Sequence, residues 1–182
     1  MEVSYDPVAQ HEESYLEVVF DRRPESALDD RDTLNAPLRE LHLRPAVCTS
    51  SDTSLRPAIE LMRLAGIGSV VVESEGRLVG IFTERDVLMR VVGEPIDLDR
   101  TPVGEMMVPQ PETLGLGDAI SFAINMMSDG GYRHVPVTDK SGKPLHVVSV
   151  RDLAAWLAEC HPERVVNLPP TPGRVAARRN GG

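Results

Sequence analysis

Shifted by 65 positions, this sequence lies over itself, and that self-similarity restricts the chain to folds built from two copies of one unit. Pro37-Leu38-Arg39-Glu40-Leu41 falls on Pro102-Val103-Gly104-Glu105-Met106. Ala58 then meets Ala123, Met62 meets Met127, Gly66 meets Gly131, Val70 meets Val135 and Val72 meets Val137. One inserted residue moves the offset to 66, after which Gly76 meets Gly142, Thr83 meets Ser149, Arg85 meets Arg151 and Asp86 meets Asp152. A single insertion over about fifty aligned positions marks a duplication.

Both copies spell the same order of elements. A short extended piece (46–49; 111–114) runs into a turn whose capping residues are Asp52-Thr53 or Gly117-Asp118. A helix follows, with Ala58, Leu61, Met62 and Ala65 on one face in the first copy and Ala123, Met126 and Met127 in the second. Pro57 belongs in its first turn, where the missing N–H costs little. "SVVVE" (69–73) or "HVPVT" (134–138) is a buried strand, Gly76 or Gly142 marks a hairpin, and a second strand follows. "ERDVLMRVV" or "VRDLAAWLA" closes each copy as an amphipathic helix. The expected class is α/β (α+β), with two β-α-β-β-α units packed about a pseudo-twofold axis. Each unit is a three-stranded sheet with both helices on one face, and would be small to fold alone. The expected boundaries are an acidic extension at 1–35, copies at 36–93 and 103–160, a linker at 94–102 and a basic Pro/Gly/Arg-rich tail at 161–182.

Charge bears on partners. A net charge of −9 speaks against nucleic acid, which needs a basic face. The charge is uneven. Residues 1–35 hold ten acids against three arginines, while 161–182 hold Arg164, Arg174, Arg178 and Arg179 against Glu163. These ends read as solvated arms. No apolar run approaches the 18 residues of a membrane span. The start lacks the layout of a signal peptide, so cytoplasmic residence is expected. Two cysteines, Cys48 and Cys160, without a CxxC or a Cys/His cluster, read as free, partly buried thiols and leave no zinc-type metal site.

The most informative stretch occurs twice: "GIFTERDVL" (80–88) and "HVVSVRDLA" (146–154). Thr/Ser-x-x-Asp at a strand end has two readings. One is a capping box, worth roughly 1 kcal/mol per helix, with Asp so short that the reciprocal bond would be strained. The other is a ligand site, where a carboxylate accepts from the hydroxyls of a ribose beside a helix N-terminus that suits phosphate. The two roles can coexist.

The run Ala-x-x-x-Met, Gly-x-x-x-Val-x-Val, Gly-x-x-Val-Gly-Ile-x-Thr-x-x-Asp resembles the cystathionine-β-synthase (CBS) domain, and two copies in tandem resemble a CBS pair. "GIFTERD" and "YRHVPV" carry the likeness most specifically, within about residues 36–160. The resemblance implies clefts between the copies for an adenosine-containing small molecule such as AMP, ADP, ATP or S-adenosylmethionine. It implies a sensing or regulating module rather than an enzyme, with no obligatory cofactor, often a homodimer, acting on an unidentified protein target. Carried over residue by residue, it assigns Thr83 and Asp86 to one cleft and Ser149 and Asp152 to the other.

Phosphate also needs cations. Arg133 is the first candidate, because a guanidinium grips phosphate in a fork; Arg85 and Arg151 come second, and His134 alternates with Val135 and Val137. An adenine slot would draw on Val47, Cys48, Thr49, Ile67 and Val70 from the first copy and on Leu114, Tyr132 and Val135 from the second. Met106 and Met107 would close a rim, core packing being the plainer reading for each. The copies differ at His146 against Gly80, Glu112 against Val47 and Leu114 against Thr49, so unequal sites are expected. His146 in particular would crowd a ligand lying against the backbone. No P-loop, HExxH or GxSxG supports an enzyme. Two alternatives remain: a ligand-free dimerising adaptor with degenerate pockets, and a redox regulator using Cys48 or Cys160.

Overall fold

The structure, a computed structural model, describes residues 30–162; the expectations for the acidic start before residue 30 and the basic tail from 163 onward fall outside the described residues. A helix α1 (Asp30–Asn35) and a 3-10 turn (Leu38–Glu40) lead into the first repeat. That repeat holds β1 (Cys48–Ser50), α2 (Leu55–Ala65), β2 (Ser69–Ser74) and β3 (Arg77–Thr83), then one α-helical turn, α3 (Glu84–Asp86), and a π-helical turn (Val87–Val91). The second repeat holds α4 (Val103–Met106), β4 (Val108–Pro109), α5 (Ile120–Asp129), β5 (His134–Thr138), β6 (Pro144–Ser149) and α6 (Val150–Cys160). The mixed α/β class read from the sequence is the one found.

Backbone chemistry fixes the hairpins. Glu75 (φ 52°) and Gly76 (φ 73°) form a two-residue turn between Ser74 and Arg77, both left-handed as a tight hairpin of that twist requires. In the second repeat, Thr138 pairs with Pro144 across a longer loop, where Asp139 Oδ1 accepts from the Ser141 N–H (2.8 Å), the Ser141 hydroxyl (2.6 Å) and the Lys143 N–H (3.0 Å). This is where the sequence offset changes.

The repeats exchange their leading segments. Leu38 and Arg39 donate to the carbonyls of Asp118 (2.8 Å) and Leu116 (3.0 Å). At matching positions Val103 and Gly104 donate to Thr53 (2.7 Å) and Ser51 (3.0 Å). Further on, the Ala46 N–H donates to Leu145 (2.9 Å), while β4 pairs with β3 through Gly80 and Ile81. Strand order is therefore β1-β2-β3-β4 in one sheet and β5-β6 in the other. Each core is shared accordingly. Ala36, Leu38 and Leu41 sit with Ile120, Ala123, Val137, Val148 and Leu153, whereas Val103 sits with Leu55, Ala58, Met62, Val70, Val72, Phe82 and Val91. Burying these aliphatic faces drives the two repeats together at about 25 cal/mol per Å².

Three local expectations need correction. The leading strand of the second repeat, 111–114, is reduced to one parallel bridge, Leu114 to Val137, leaving that sheet two-stranded. Pro111 offers no N–H to a ladder, and Gln110 just before it is left-handed (φ 46°). The first helices are not capped by Asp52-Thr53 or by Asp118. Their N-caps are Ser54 and Ala119, without side-chain bonds, and exchanged backbone does the capping: Leu55 donates to Thr101 (2.9 Å) and Ile120 to Ala36 (2.8 Å). Lastly, the expected helix after Thr83 widens into a π turn, with the Val92 N–H donating to Val87 at 3.0 Å.

Candidate functional site

Strand ends and helix starts from opposite repeats meet at two cavities. The first, of about 300 Å³, takes Val47, Ile67 and Gly68 from the first repeat and Ser149, Arg151 and Asp152 from the second. The second, of about 270 Å³, takes Thr83, Arg85 and Asp86 from the first repeat and Glu112, Tyr132 and Val135 from the second. Arg133 and His134 line both. Small-molecule sites run upward from about 300 Å³, so both cavities stand at the small end of that range.

Each Thr/Ser-x-x-Asp motif is a complete capping box. Asp86 Oδ2 accepts from the Thr83 N–H (2.9 Å) and hydroxyl (2.7 Å), and the Thr83 hydroxyl accepts from the Asp86 N–H (3.3 Å). Asp152 repeats this with Ser149 at 2.7, 2.7 and 3.3 Å. The strain expected of the short Asp is not seen. The N-cap backbone is extended (φ −124° at Thr83, −116° at Ser149), which brings its N–H within the reach of an aspartate. Both carboxylates are thus turned onto their own main chain through Oδ2, and both residues also line a cavity. One oxygen of each lies outside the cap's hydrogen bonds. For Asp86 it lies 3.7 Å from Arg90 Nε.

The cations are placed unequally. Arg85 donates to the Gly131 carbonyl (3.0 Å), and Arg90 to the carbonyls of Met106 (3.1 Å) and Met107 (3.3 Å). Arg133 lies 3.6 Å from Glu84 across the repeat boundary. His134 starts β5, and a Cβ on Gly68 would come within 2.8 Å of its Cε1 and Nε2. Burial first, then the neighbouring Arg133, holds the His134 imidazole below its usual pKa, while Glu84 and Asp152 pull the other way. The ring is neutral at physiological pH.

Of the residues singled out in the sequence, Thr83, Asp86, Arg85, Tyr132 and Val135 line the second cavity, and Ser149, Asp152, Arg151, Val47 and Ile67 line the first. Thr49 lines neither: it pairs with Val72 inside the sheet. Val70 is fully buried in one core, and Leu114, Met106 and Met107 pack against the cores, so the plainer reading applies to them. His146 does not crowd a cavity. Its Nδ1 lies 3.0 Å from the Arg44 carbonyl, and the glycine at its counterpart Gly80 makes room for Met107. Glu112 does line the second cavity, as its departure from Val47 suggested. Glu84, Arg44 and Arg90 escaped the sequence reading. Glu84 and Arg90 lie in or beside the motif, but only the crossing of the repeats shows which neighbours they meet.

The thiols do not favour redox chemistry. Burial, with Glu73 nearby, pushes Cys48 up to about 11, and burial also raises Cys160. Little thiolate exists at neutral pH to react. No helix among the described residues is long and apolar enough to cross a membrane.

A family model described as CBS domain matches residues 38–93 and 103–159, more than half the chain. Among curated proteins, the chain is 32% identical over 111 residues to an uncharacterized 17.7 kDa protein of Acidianus ambivalens, covering 60% of this chain and 66% of that one. It is 32% identical over 124 residues to a CBS domain-containing protein of Arabidopsis thaliana, covering 62% of this chain and 22% of the plant protein, so it spans about a fifth of that relative's length. Among solved structures, a CBS domain protein from Pyrobaculum aerophilum complexed with AMP superposes with a TM-score of 0.62 at 29% identity, over 70% of this chain and 99% of that one.

Proposed function

The chain belongs to the CBS domain family, and on that premise we propose that it is a regulatory module taking an adenosine-containing ligand in one or both cavities between its repeats. One observation carries the reading: each Thr/Ser-x-x-Asp motif opens on its own cavity, with one carboxylate oxygen left outside the cap. That oxygen would accept from a ribose hydroxyl, the apolar strand residues would flank the base, and the arginines would meet phosphate. Volumes of 270–300 Å³ suit one adenosine-type ligand in each cavity. The AMP-bound relative at 29% identity supports the same class. Ligand binding would then shift the angle between repeats and bias a protein target.

A homodimer and cytoplasmic residence belong to the same reading. Leu64 of α2 and Leu88, Met89 and Val92 after the first motif stand 62–73% exposed, apolar side chains that a second copy would cover. The same exposed side chains favour the other reading, an adaptor whose capping boxes serve only the fold. A thermal-shift and calorimetric titration with AMP, ADP, ATP and S-adenosylmethionine separates the two. Ligand at a hundredfold over its dissociation constant stabilises the chain by about 2.7 kcal/mol. Asp86→Ala and Asp152→Ala abolish binding in their own cavities while the chain stays folded. An adaptor shows no shift with any ligand at millimolar concentration and loses only the caps.

A further inference from the structure

One guanidinium, that of Arg133, lines both cavities. The repeat counterparts of Arg133 and His134 are Gly68 and Ser69, so the duplication sets two matching positions at the repeat boundary and puts a cation at only one. Nor is there room for a second. Any side chain at Gly68 would start 2.8 Å from the His134 ring. Arg44 and Arg151 line only the first cavity, and Arg85 and Arg90 only the second. The latter pair is committed to backbone carbonyls. Arg133 is held instead by Glu84, at 3.6 Å between side chains 46% and 60% exposed. So long and solvated an ion pair is a weak tie, and a phosphate that grips guanidinium in a fork outcompetes it.

We propose that the two cavities compete for Arg133. A phosphate-bearing ligand in one displaces Glu84, takes the guanidinium and weakens binding of a second phosphate-bearing ligand in the other. The chain therefore holds a second phosphate-bearing ligand less tightly than the first, and the second cavity, whose Arg85 and Arg90 are committed to carbonyls, is the one that then suits an adenosine-type ligand without phosphate. This rests on the reading that both cavities take adenosine-type ligands.

Calorimetric titration with AMP and, separately, with adenosine tests it. Asp152→Ala leaves only the second cavity and Asp86→Ala only the first, which gives each site's own affinity. The product of the two AMP affinities of the unaltered chain should fall at least about tenfold short of the product of the single-site values. Adenosine should show no shortfall, and Arg133→Ala should abolish it for AMP. Glu84→Gln leaves the side chains of the capping box in place and should raise the ratio of AMP to adenosine affinity about threefold; this arm holds even where an aspartate variant fails to fold. AMP affinities that multiply without shortfall overturn the competition while the nucleotide reading stands. So does a shortfall that persists with adenosine or in Arg133→Ala, and so does an AMP-to-adenosine ratio unmoved by Glu84→Gln. Absence of heat from both ligands overturns both readings together.

Discussion

The two halves of the molecule agree at the capping boxes and at the start of the exchanged leaders, and differ in the leading strand, in the helix after each motif and in the residues that line the cavities. The capping boxes match to within 0.2 Å, Thr83 against Ser149 and Asp86 against Asp152. The first bonds of the exchanged leaders also match, from Leu38, Arg39 and Ile120 against Val103, Gly104 and Leu55. Against that constancy, Glu112 stands for Val47 and Arg133 for Gly68 on the cavity walls. A lost backbone bond leaves a buried donor or acceptor unsatisfied and costs about 1–3 kcal/mol, whereas a changed cavity wall leaves folding intact. Duplication has kept the frame and let the walls diverge, and this makes the cavities chemically unequal.

The exchange of leaders gives the largest expected effect. Leu38 belongs by sequence to the first repeat, yet it is fully buried in the core of the second. Leu38→Ala should remove about 2–5 kcal/mol in urea unfolding. Val103→Ala, its counterpart, should remove about 2 kcal/mol through the core of the first repeat. Hydrogen exchange then reads the comparison directly: Leu38→Ala should loosen β5 and β6 before β2 and β3. Loosening of β2 and β3 first would break the picture of exchanged cores.

Gly80 and His146 come next. At Gly80 an added Cβ collides with Met107, so Gly80→Ala should cost about 1–3 kcal/mol by overpacking. His146→Gly loses one side-chain contact to Arg44 and adds backbone freedom, and should cost about 1 kcal/mol. Equal losses at the two positions would show that the halves are closer to identical than their contacts say. Smaller still is the cap. Asp86→Ala and Asp152→Ala should each cost about 0.5–2 kcal/mol in the same unfolding measurement, with Asp86, the more buried of the two, at the upper end.

Much of this was legible in the sequence, for reasons that local chemistry supplies. Thr83, Asp86, Ser149 and Asp152 could be read because strand end, N-cap and N3 residue lie within four positions of one another. Arg133 and His134 could be read because they break the match between repeats. The exchange could not be read. Pro37 and Pro102 align with each other whether each packs in its own repeat or the other, since both repeats offer the same carbonyls. The same ambiguity hid Glu84 as the counter-ion of Arg133 and let Thr49, which faces the sheet, pass as a cavity residue. The π turn after Asp86 was hidden too, because "VLMRV" carries an ordinary helical pattern.

The smallest effect concerns His134, whose counterpart Ser69 does not titrate. Burial holds the folded imidazole below the usual value of 6.5, with Arg133 adding to it against Glu84 and Asp152. Above that value both folded and unfolded states are neutral at this position, and it contributes nothing to pH dependence. As pH falls from there toward the lowered folded value, the unfolded chain binds the proton first, so stability declines over that window and levels off below it. Unfolding measured between about pH 7.5 and pH 5 should therefore show a loss that His134→Gln removes and Ser69→Ala leaves in place. If the loss survived His134→Gln, the proton would be landing elsewhere, and the two sides of the central boundary would not differ in the way their residues imply.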